Sequence, residues 1–576
     1  MALILKAKKQ KKAKKVESPE GRLERKRQLT FANSYRFIFE KSGFTRISGV
    51  EGNHFEFSGI KSELDDIFIY ENIVIFAEYT TSSGSNLGSH AKGNAGSHNA
   101  IMASPYKFLE ALAEISLPVS ELLKKIGYSK NQMIFKIIYC SDEGVEPHHQ
   151  AFMQKTIFIS LAEKMYFRKL VSCIKKSARY ELFDFLGIVL SKVGLSGVIN
   201  STIKNDRYHG FILPEEHSNF PTGFKIASFY VDPEAILKRA YVLRQGAWRD
   251  SLNLYQRMII PAKIRSIRKY LRSEQRVFTN NIVVTLPDDT EFRSVDNKIV
   301  DSTKISEITP AWVSINDVPN SIGIVDGQHR VFSYFEDLEP DDIIDKYRRQ
   351  QSLIATGIVY PANTSKIAKE QFEAALFLEI NSNQSGASSD LKQSIWLILD
   401  PARPISVARK IVNSLAATTP LAGILEKSAY DIGRIRTTTI ATYGVQPLVK
   451  RSGKDSIFYI WKDPDKAKIA DGGKDLVVLD RYLNFSVEHI SDFLSLIRKS
   501  LDVKKWKIAD RQNDGVLSVT TINSFLILMR KLIESGYITE TDILVDFAKL
   551  NHIDVNKFKS SQYAALAAKM YDAVTK

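Results

Sequence analysis

The chain has 576 residues, of which 44% are hydrophobic and 25% charged, and it carries a formal charge of +15 at pH 7. That length exceeds what one hydrophobic core holds and predicts about three to five folding units, while no apolar stretch approaches the ~18 uncharged residues of a spanning helix, which excludes a membrane-crossing segment of that kind. Seven of the positive charges are lysines within Met1–Lys15, a segment without acids, so about half of the excess is tail and half is body.

Residues 1–20 read as a basic, disordered tail, either a solubilising start or a grip on phosphate backbones that reads no sequence. The tail lacks the apolar core and small-residue cleavage site of a secretory signal. Cys140 and Cys173 form no C-x-x-C pair, and the histidines, among them the adjacent His148 and His149, do not fall into H-E-x-x-H. A reducing, cytoplasmic setting is expected, with neither a disulfide framework nor a transition-metal site.

Gly21 to Lys41 has the periodicity of a helix, with Leu29, Ala32, Tyr35, Phe37, Ile38 and Phe39 as its apolar residues. Strand-like pieces follow at Phe55–Phe57, Asp66–Tyr70 and Ile73–Tyr79, the last two joined by the hairpin-length break Glu71-Asn72. The Ser/Gly/Asn-rich run from Thr80 to Asn99 predicts a long polar loop. Helical spacing returns with Phe108, Leu109, Leu112 and Ile115, and a buried strand, Met133–Tyr139, completes an α/β domain over 21–165. Residues 166–234 form a connecting region with no interpretable motif.

A second domain is expected over 235–403. Its helix from Tyr255 to Arg272 carries Arg257, Lys263, Arg265, Arg268 and Lys269, either a solvated face or a DNA-phosphate contact surface. Strands at Asn281–Leu286, Ile322–Val325 and Ile354–Tyr360 follow. A helix at Lys366–Glu379, a polar loop at Asn381–Asp390 and a helix from about Leu391 complete the unit. Residues 404–576 read as mainly helical, with Ile457–Trp461 the main strand candidate. The fold class is α/β, mixed with α+β character.

Between the strand at Ile322 and a helix implied by Val331, Tyr334, Phe335 and Leu338 lies the cluster Asp326-Gly327-Gln328-His329-Arg330. Asp326 is placed to cap the helix, Gly327 allows an unusual backbone angle or a close ligand, and free amides at a helix start favour anions. Arg330 could fork onto phosphate, and His329 could donate to it or move a proton. The alternative is a capped turn in which Asp326 pairs with Arg330. On chemistry alone the two readings stand even.

D-G-Q-H-R resembles the signature of the DGQHR-domain proteins, a group that includes DndB-like and DpdB-like members of DNA phosphorothioation and deazaguanine modification systems. These are similar to the ParB/sulfiredoxin-like superfamily. The likeness extends to L-Y-Q-R at Leu254–Arg257 and to F-L-E-I-N-S-N-Q at Phe377–Gln384, and covers roughly 235–530. It implies a nucleotide, ATP or another, at Asp326, Gly327, Gln328, His329 and Arg330, with Asn381, Asn383 and Gln384 lining the same cleft. Members of the group regulate modification operons or hydrolyse ATP beside modifying enzymes.

In the first domain, Asp65 precedes one strand and Glu78 ends the next, which brings two carboxylates to one sheet edge as a Mg²⁺ site for phosphodiester hydrolysis needs. The order helix, acid, strand with E-x-K, helix resembles the restriction-endonuclease-like PD-(D/E)xK fold, with Glu24 in place for an accessory carboxylate. The departure is Thr80 where that pattern has lysine; Lys92 could serve instead, or the domain could bind DNA without cutting it. The two resemblances imply a DNA-associated component of a prokaryotic DNA modification or defence system, partnered by DNA and by other proteins of that system. Catalytic roles fall to Asp65, Glu78, Lys92, His329 and Arg330; the alternative is a non-catalytic transcriptional regulator.

Overall fold

A computed structural model describes residues 18–575, apart from 49, 52–53, 195–204, 245–255, 257, 317, 319, 383–388, 419, 427–430, 432, 511–514 and 559. Arg257, Asn383 and Gln384 and nearly all of the basic tail therefore lie outside the described residues. By its internal contacts the chain divides into two units, Met1–Val242 with Met258–Lys369, and Leu243–Arg257 with Glu370–Lys576. The division falls well before the boundary expected after residue 403.

Ser18 caps the helix α1 (Pro19–Lys41) by accepting from the Gly21 amide at 3.1 Å, and Pro19 pre-sets its first turn. Tyr35, Ile38 and Phe39 then fall on one face and are buried, with Phe39 stacked on Phe68 at 4.7 Å. After α1 come β1 (Thr45–Ile47), a separate hairpin of β2 (His54–Phe57) and β3 (Ile60–Glu63), then β4 (Asp66–Tyr70) and β5 (Ile73–Thr80). Helices α2 (Ser85–Ala103), α3 (Pro105–Ile115) and α4 (Leu117–Lys125) lead to β6 (Ile134–Ser141); α5 (Pro147–Gln150) leads to β7 (Thr156–Ile159).

The sheet runs β1-β4-β5-β6-β7, antiparallel as far as β5 and parallel beyond it. A parallel neighbour demands a long crossover, and the three helices between β5 and β6 supply it. The expected loop at Thr80–Asn99 is thus, from Ser85 onward, a helix. Its glycines, serines and asparagines are poor helix formers, but Leu87, Ala91, Ala95, His98 and Ile101 recur at helical spacing and are all buried. Tertiary burial overrides the weak propensity.

Residues 166–234 are not a connector. Helix α6 (Leu161–Ile174) packs on α1, α7 (Arg179–Phe185) follows it, and β8 (Asn205–Ile212) and β9 (Lys225–Val231) are interior strands of a second sheet. The rest of that sheet region is α8 (Pro233–Arg239), β10 (Ala240–Tyr241), α9 (Pro261–Glu274), β11 (Ile282–Leu286), β12 (Glu291–Arg293), β13 (Thr309–Asn316) and β14 (Ile322–Asp326). Then come α10 (Gln328–Phe332), α11 (Asp342–Gln350) and β15 (Leu353–Val359). The strand order is β10-β14-β11-β15-β9-β8-β13-β12, with parallel and antiparallel pairs mixed. Glu336 links the second sheet region to the first: its amide donates to Ser177 Oγ at 2.9 Å, and its carboxylate meets Arg179.

The second unit has no named strand among the described residues. Helices at Pro404–Ala417, Leu476–Ser500, Val519–Glu534 and Tyr563–Thr575 surround an apolar core. Ile457–Ile460, expected as a strand, is a single helical turn. With no strand beside it, an extended segment would leave its buried amides and carbonyls without partners.

Candidate functional site

Strand alternation separates two neighbouring acids at the start of β4. Asp66 is 1% exposed and accepts from Arg36 Nε at 2.6 Å and from Arg46, which ties α1 and β1 to the sheet. Asp65 turns the other way, and two bonds staple it to β5: its amide donates to the Ala77 carbonyl at 3.0 Å, and its Oδ2 accepts from the Tyr79 amide at 2.7 Å. Glu78 stands between those two anchor points. The expected pair is therefore brought to one edge, and both acids line a cavity of about 560 Å³ together with Glu63, Arg25, Gln28 and His90.

Glu78 is held by α2. His98, 1% exposed, places Nε2 at 2.7 Å from Glu78 Oε2 and Nδ1 at 3.0 Å from Thr156 Oγ1. The Asn94 amide donates to Glu78 Oε1, and His90 Nδ1 lies 3.8 Å from the same oxygen and 2.7 Å from the Tyr139 hydroxyl. His90, Asn94 and His98 are spaced i, i+4, i+8 and so share one helix face. Sequence reasoning missed these three because it read their segment as a loop; the fourfold spacing within H-A-K-G-N-A-G-S-H was the available signal.

Burial pushes the Asp65 carboxyl up to about 7, opposed by the Tyr79 amide and reinforced by the negative fields of Glu78, Glu63 and Asp66. Glu63, Asp65 and Glu78 line the same cavity, carboxylate oxygens are the donor type of Mg²⁺ or Mn²⁺, and Asp65 commits only Oδ2 to a protein donor among the described residues. The residues thus fit the expected ion.

Lys92 is not part of this arrangement. It lies two positions beyond His90, about 200° around the helix, and its exposed ammonium sits 6.0 Å from the Phe152 ring centroid. Thr80 does not substitute: it is 6% exposed and its hydroxyl accepts from the Ser82 amide at 3.1 Å. Glu24 is exposed, accepts from Gln28 at 3.4 Å and is not among the cavity-lining residues; Arg25 and Gln28 represent α1 there. A second cavity of about 660 Å³ shares Phe31, Thr81 and Ser82 with the first and is lined by Lys26, Arg27 and Arg168 among others.

At the D-G-Q-H-R turn, Gly327 has φ of 98°, and a Cβ there would stand 2.6 Å from Ile282 Cγ2, so this glycine is required by its close packing on β11. Asp326 makes no capping bond. Its Oδ2 accepts from Arg330 Nη2 at 2.8 Å, and Arg330 Nη1 donates to the Asn281 carbonyl at 2.6 Å. His329 Nε2 accepts from the Ile260 amide at 3.1 Å, and Gln328 is 9% exposed. The expected Asp326 cap is corrected to an Asp326–Arg330 pair, because the carboxylate reaches the guanidinium one turn ahead. Helix α10 is only five residues long. Arg268 and Arg348 take the carbonyls of Ser333, Tyr334 and Phe335 out of helical bonding. Asn381 belongs to the second unit, where its amide donates to the Phe377 carbonyl at 2.8 Å.

Of the expected DNA contacts on α9, Lys263, Arg265 and Lys269 are exposed. Arg268 is not: it is 4% exposed, donates to the Ser333 and Phe335 carbonyls, pairs with Asp341 at 2.5 Å and lies 3.9 Å over the Phe335 ring. Its spacing on the basic helix put it on the inner face.

Comparison with protein-family models, curated proteins and solved structures returned no match. No helix among the described residues is long and apolar enough to cross a membrane. The functional reading therefore rests on the site itself and on the likenesses its motifs carry.

Proposed function

We propose that this chain is a cytoplasmic, DNA-associated component of a prokaryotic DNA modification or defence system, acting on phosphodiester backbone at the Asp65–Glu78 cavity. The observation that supports this most is the convergence of Glu63, Asp65 and Glu78 on one cavity into which α1 also brings Arg25. Asp65 and Glu78 would hold a divalent cation, which when bound polarises a phosphodiester and lowers the pKa of its water. The chain's own residues do the rest: Asn94 and His98 fix the Glu78 carboxylate, and Arg25 offers a cation to the substrate phosphate. Lys26, Arg27 and Arg168 in the adjoining cavity extend positive charge along the path a strand would take.

Nucleotide binding at Gly327 to Arg330, with or without hydrolysis, is the second part of the proposal and rests on the resemblance. It requires Arg330 to exchange Asp326 and Asn281 for phosphate. A second reading, DNA binding without cleavage by a transcriptional regulator, is favoured by Thr80 in the lysine position and by the outward direction of Lys92.

A panel of DNA cleavage with Mg²⁺ or Mn²⁺ and of ATP hydrolysis separates these readings. Cleavage by the parent protein that Glu78→Ala abolishes supports the nuclease. Cleavage that survives Glu78→Ala removes it, and DNA binding without any cleavage puts the regulator first. ATP turnover unaffected by Arg330→Ala would remove the nucleotide assignment.

A further inference from the structure

We propose that Glu146, His148 and His149 form a site for a borderline transition-metal dication of the zinc class, separate from the hard-oxygen cavity. One ligand atom from each residue lies within 4.8 Å of the other two. His148 Nδ1 is already 3.3 Å from Glu146 Oε2, and the two imidazole rings have centroids 3.9 Å apart. Zinc bonds of ~2.0–2.1 Å in tetrahedral geometry separate ligand atoms by about 3.3 Å, so closing the site takes at most about 1.5 Å of movement, which the exposed Glu146 and His148 can supply towards the half-buried His149.

A second observation points at a ligand. His149 Nδ1 is shielded from solvent yet has no hydrogen-bond partner among the described residues, while the other edge of the ring rests on α2 at Gly88. A Cβ at Gly88 would stand 2.2 Å from His149 Nε2, so the bare helix backbone there gives the ring its seat. Two imidazoles and one carboxylate are the donor set of Zn²⁺, Co²⁺ or Ni²⁺ rather than Mg²⁺, and three ligands leave a position for water. The expectation of no transition-metal site followed from the missing H-E-x-x-H spacing. Here E-P-H-H wraps a single turn, α5, and its three donors converge without that spacing.

An ion here ties the β6–β7 connection to α2. The same connection already holds α2 at both ends, through Glu143 Oε2 to the Gly84 amide at 2.7 Å and Asn99 Nδ2 to the Phe152 carbonyl at 2.8 Å. The metal adds a brace to the helix that positions Asn94 and His98.

The test is Co²⁺ titration of the untagged full-length protein, read by d–d absorption, with zinc content measured after dialysis. The H148A/H149A double variant and Glu78→Ala are carried in parallel, and equal melting temperatures in EDTA verify that both fold. Stoichiometric Co²⁺ and Zn²⁺ in the parent and in Glu78→Ala, at least tenfold weaker binding in H148A/H149A, and a zinc-dependent rise in melting temperature lost only in the double variant are expected. A parent that holds no zinc at micromolar concentration, or a double variant that holds as much as the parent, overturns the site. Neither result depends on whether the protein cleaves DNA.

Discussion

Asp65 shows what a single residue contributes. Its carboxyl, raised to about 7 chiefly by burial, binds a proton more tightly in the folded protein than in the unfolded chain. Without bound cation, the contribution of this group to stability is therefore fully present below about pH 4 and is lost as pH rises towards and through 7, a fall on the order of 2–4 kcal/mol. Asp65→Asn removes the charge that causes the fall, so the difference in denaturant stability between pH 5 and pH 8 should be smaller in the variant than in the parent. Mn²⁺ should stabilise the parent at pH 8 and have little effect on Asp65→Asn; equal Mn²⁺-induced rises in melting temperature would argue against a metal at this carboxylate. Arg268 makes the opposite case, a buried cation whose two terminal nitrogens are committed to the Ser333 and Phe335 carbonyls and to Asp341. Arg268→Ala leaves Asp341 and two carbonyls short of a partner and should cost about 3–5 kcal/mol in urea unfolding, with DNA affinity unchanged in the folded fraction. Loss of DNA affinity at full stability would restore it to the contact surface.

At the scale of elements, α2 is the informative piece. Glycine is a poor helix residue whose replacement by alanine helps only where there is room. Gly93 has nothing within 4 Å of an added Cβ, whereas Gly88 would collide with His149. Gly93→Ala should therefore stabilise the protein by about 0.5–1 kcal/mol and Gly88→Ala should destabilise it. A loop at these positions would show no such contrast in unfolding midpoints. The same helix explains where reading the sequence succeeded and failed. Asp65 and Glu78 were legible because a two-residue turn fixes their register locally. His90, Asn94 and His98 were not, because the composition of their segment favours a loop and only packing against β6, β3 and α5 makes it a helix. The apolar spacing of Val331, Tyr334 and Phe335 correctly marked buried residues, but arginines from α9 and α11 end α10 after five residues. Burial was encoded locally; the length of the helix was not.

For the whole molecule, the charge distribution sets expectations for DNA. On the proposed DNA-associated reading, the seven lysines of the first fifteen residues would make the tail a sequence-independent contributor. Deleting residues 1–15 should weaken DNA binding most at low salt and flatten the dependence of log K on log salt, each lost phosphate contact lowering the slope by about 0.9. The Mn²⁺-dependent stabilisation assigned to Asp65 should persist in that deletion variant, since none of the cavity-lining residues lies in the tail. An unchanged salt slope would assign the binding wholly to the body of the chain.

The sequence by itself determined the mixed α/β character, the first sheet's hairpin with its pair of acids, and a strand-to-turn step at D-G-Q-H-R, because each depends on neighbours within a few residues. Only the tertiary structure decided that Thr80 to Asn99 yields a helix, that β8 and β9 belong inside the second sheet, and that Asp326 and Arg330 satisfy each other. The first two outcomes depend on burial and pairing between residues far apart in the chain; the third is a local choice, one helical turn apart, that the distant Asn281 carbonyl reinforces by holding the Arg330 guanidinium. The cavity at Asp65 and Glu78 lies where both kinds of information meet: the hairpin aligned the carboxylates, and a helix from outside the hairpin gave Glu78 its partners.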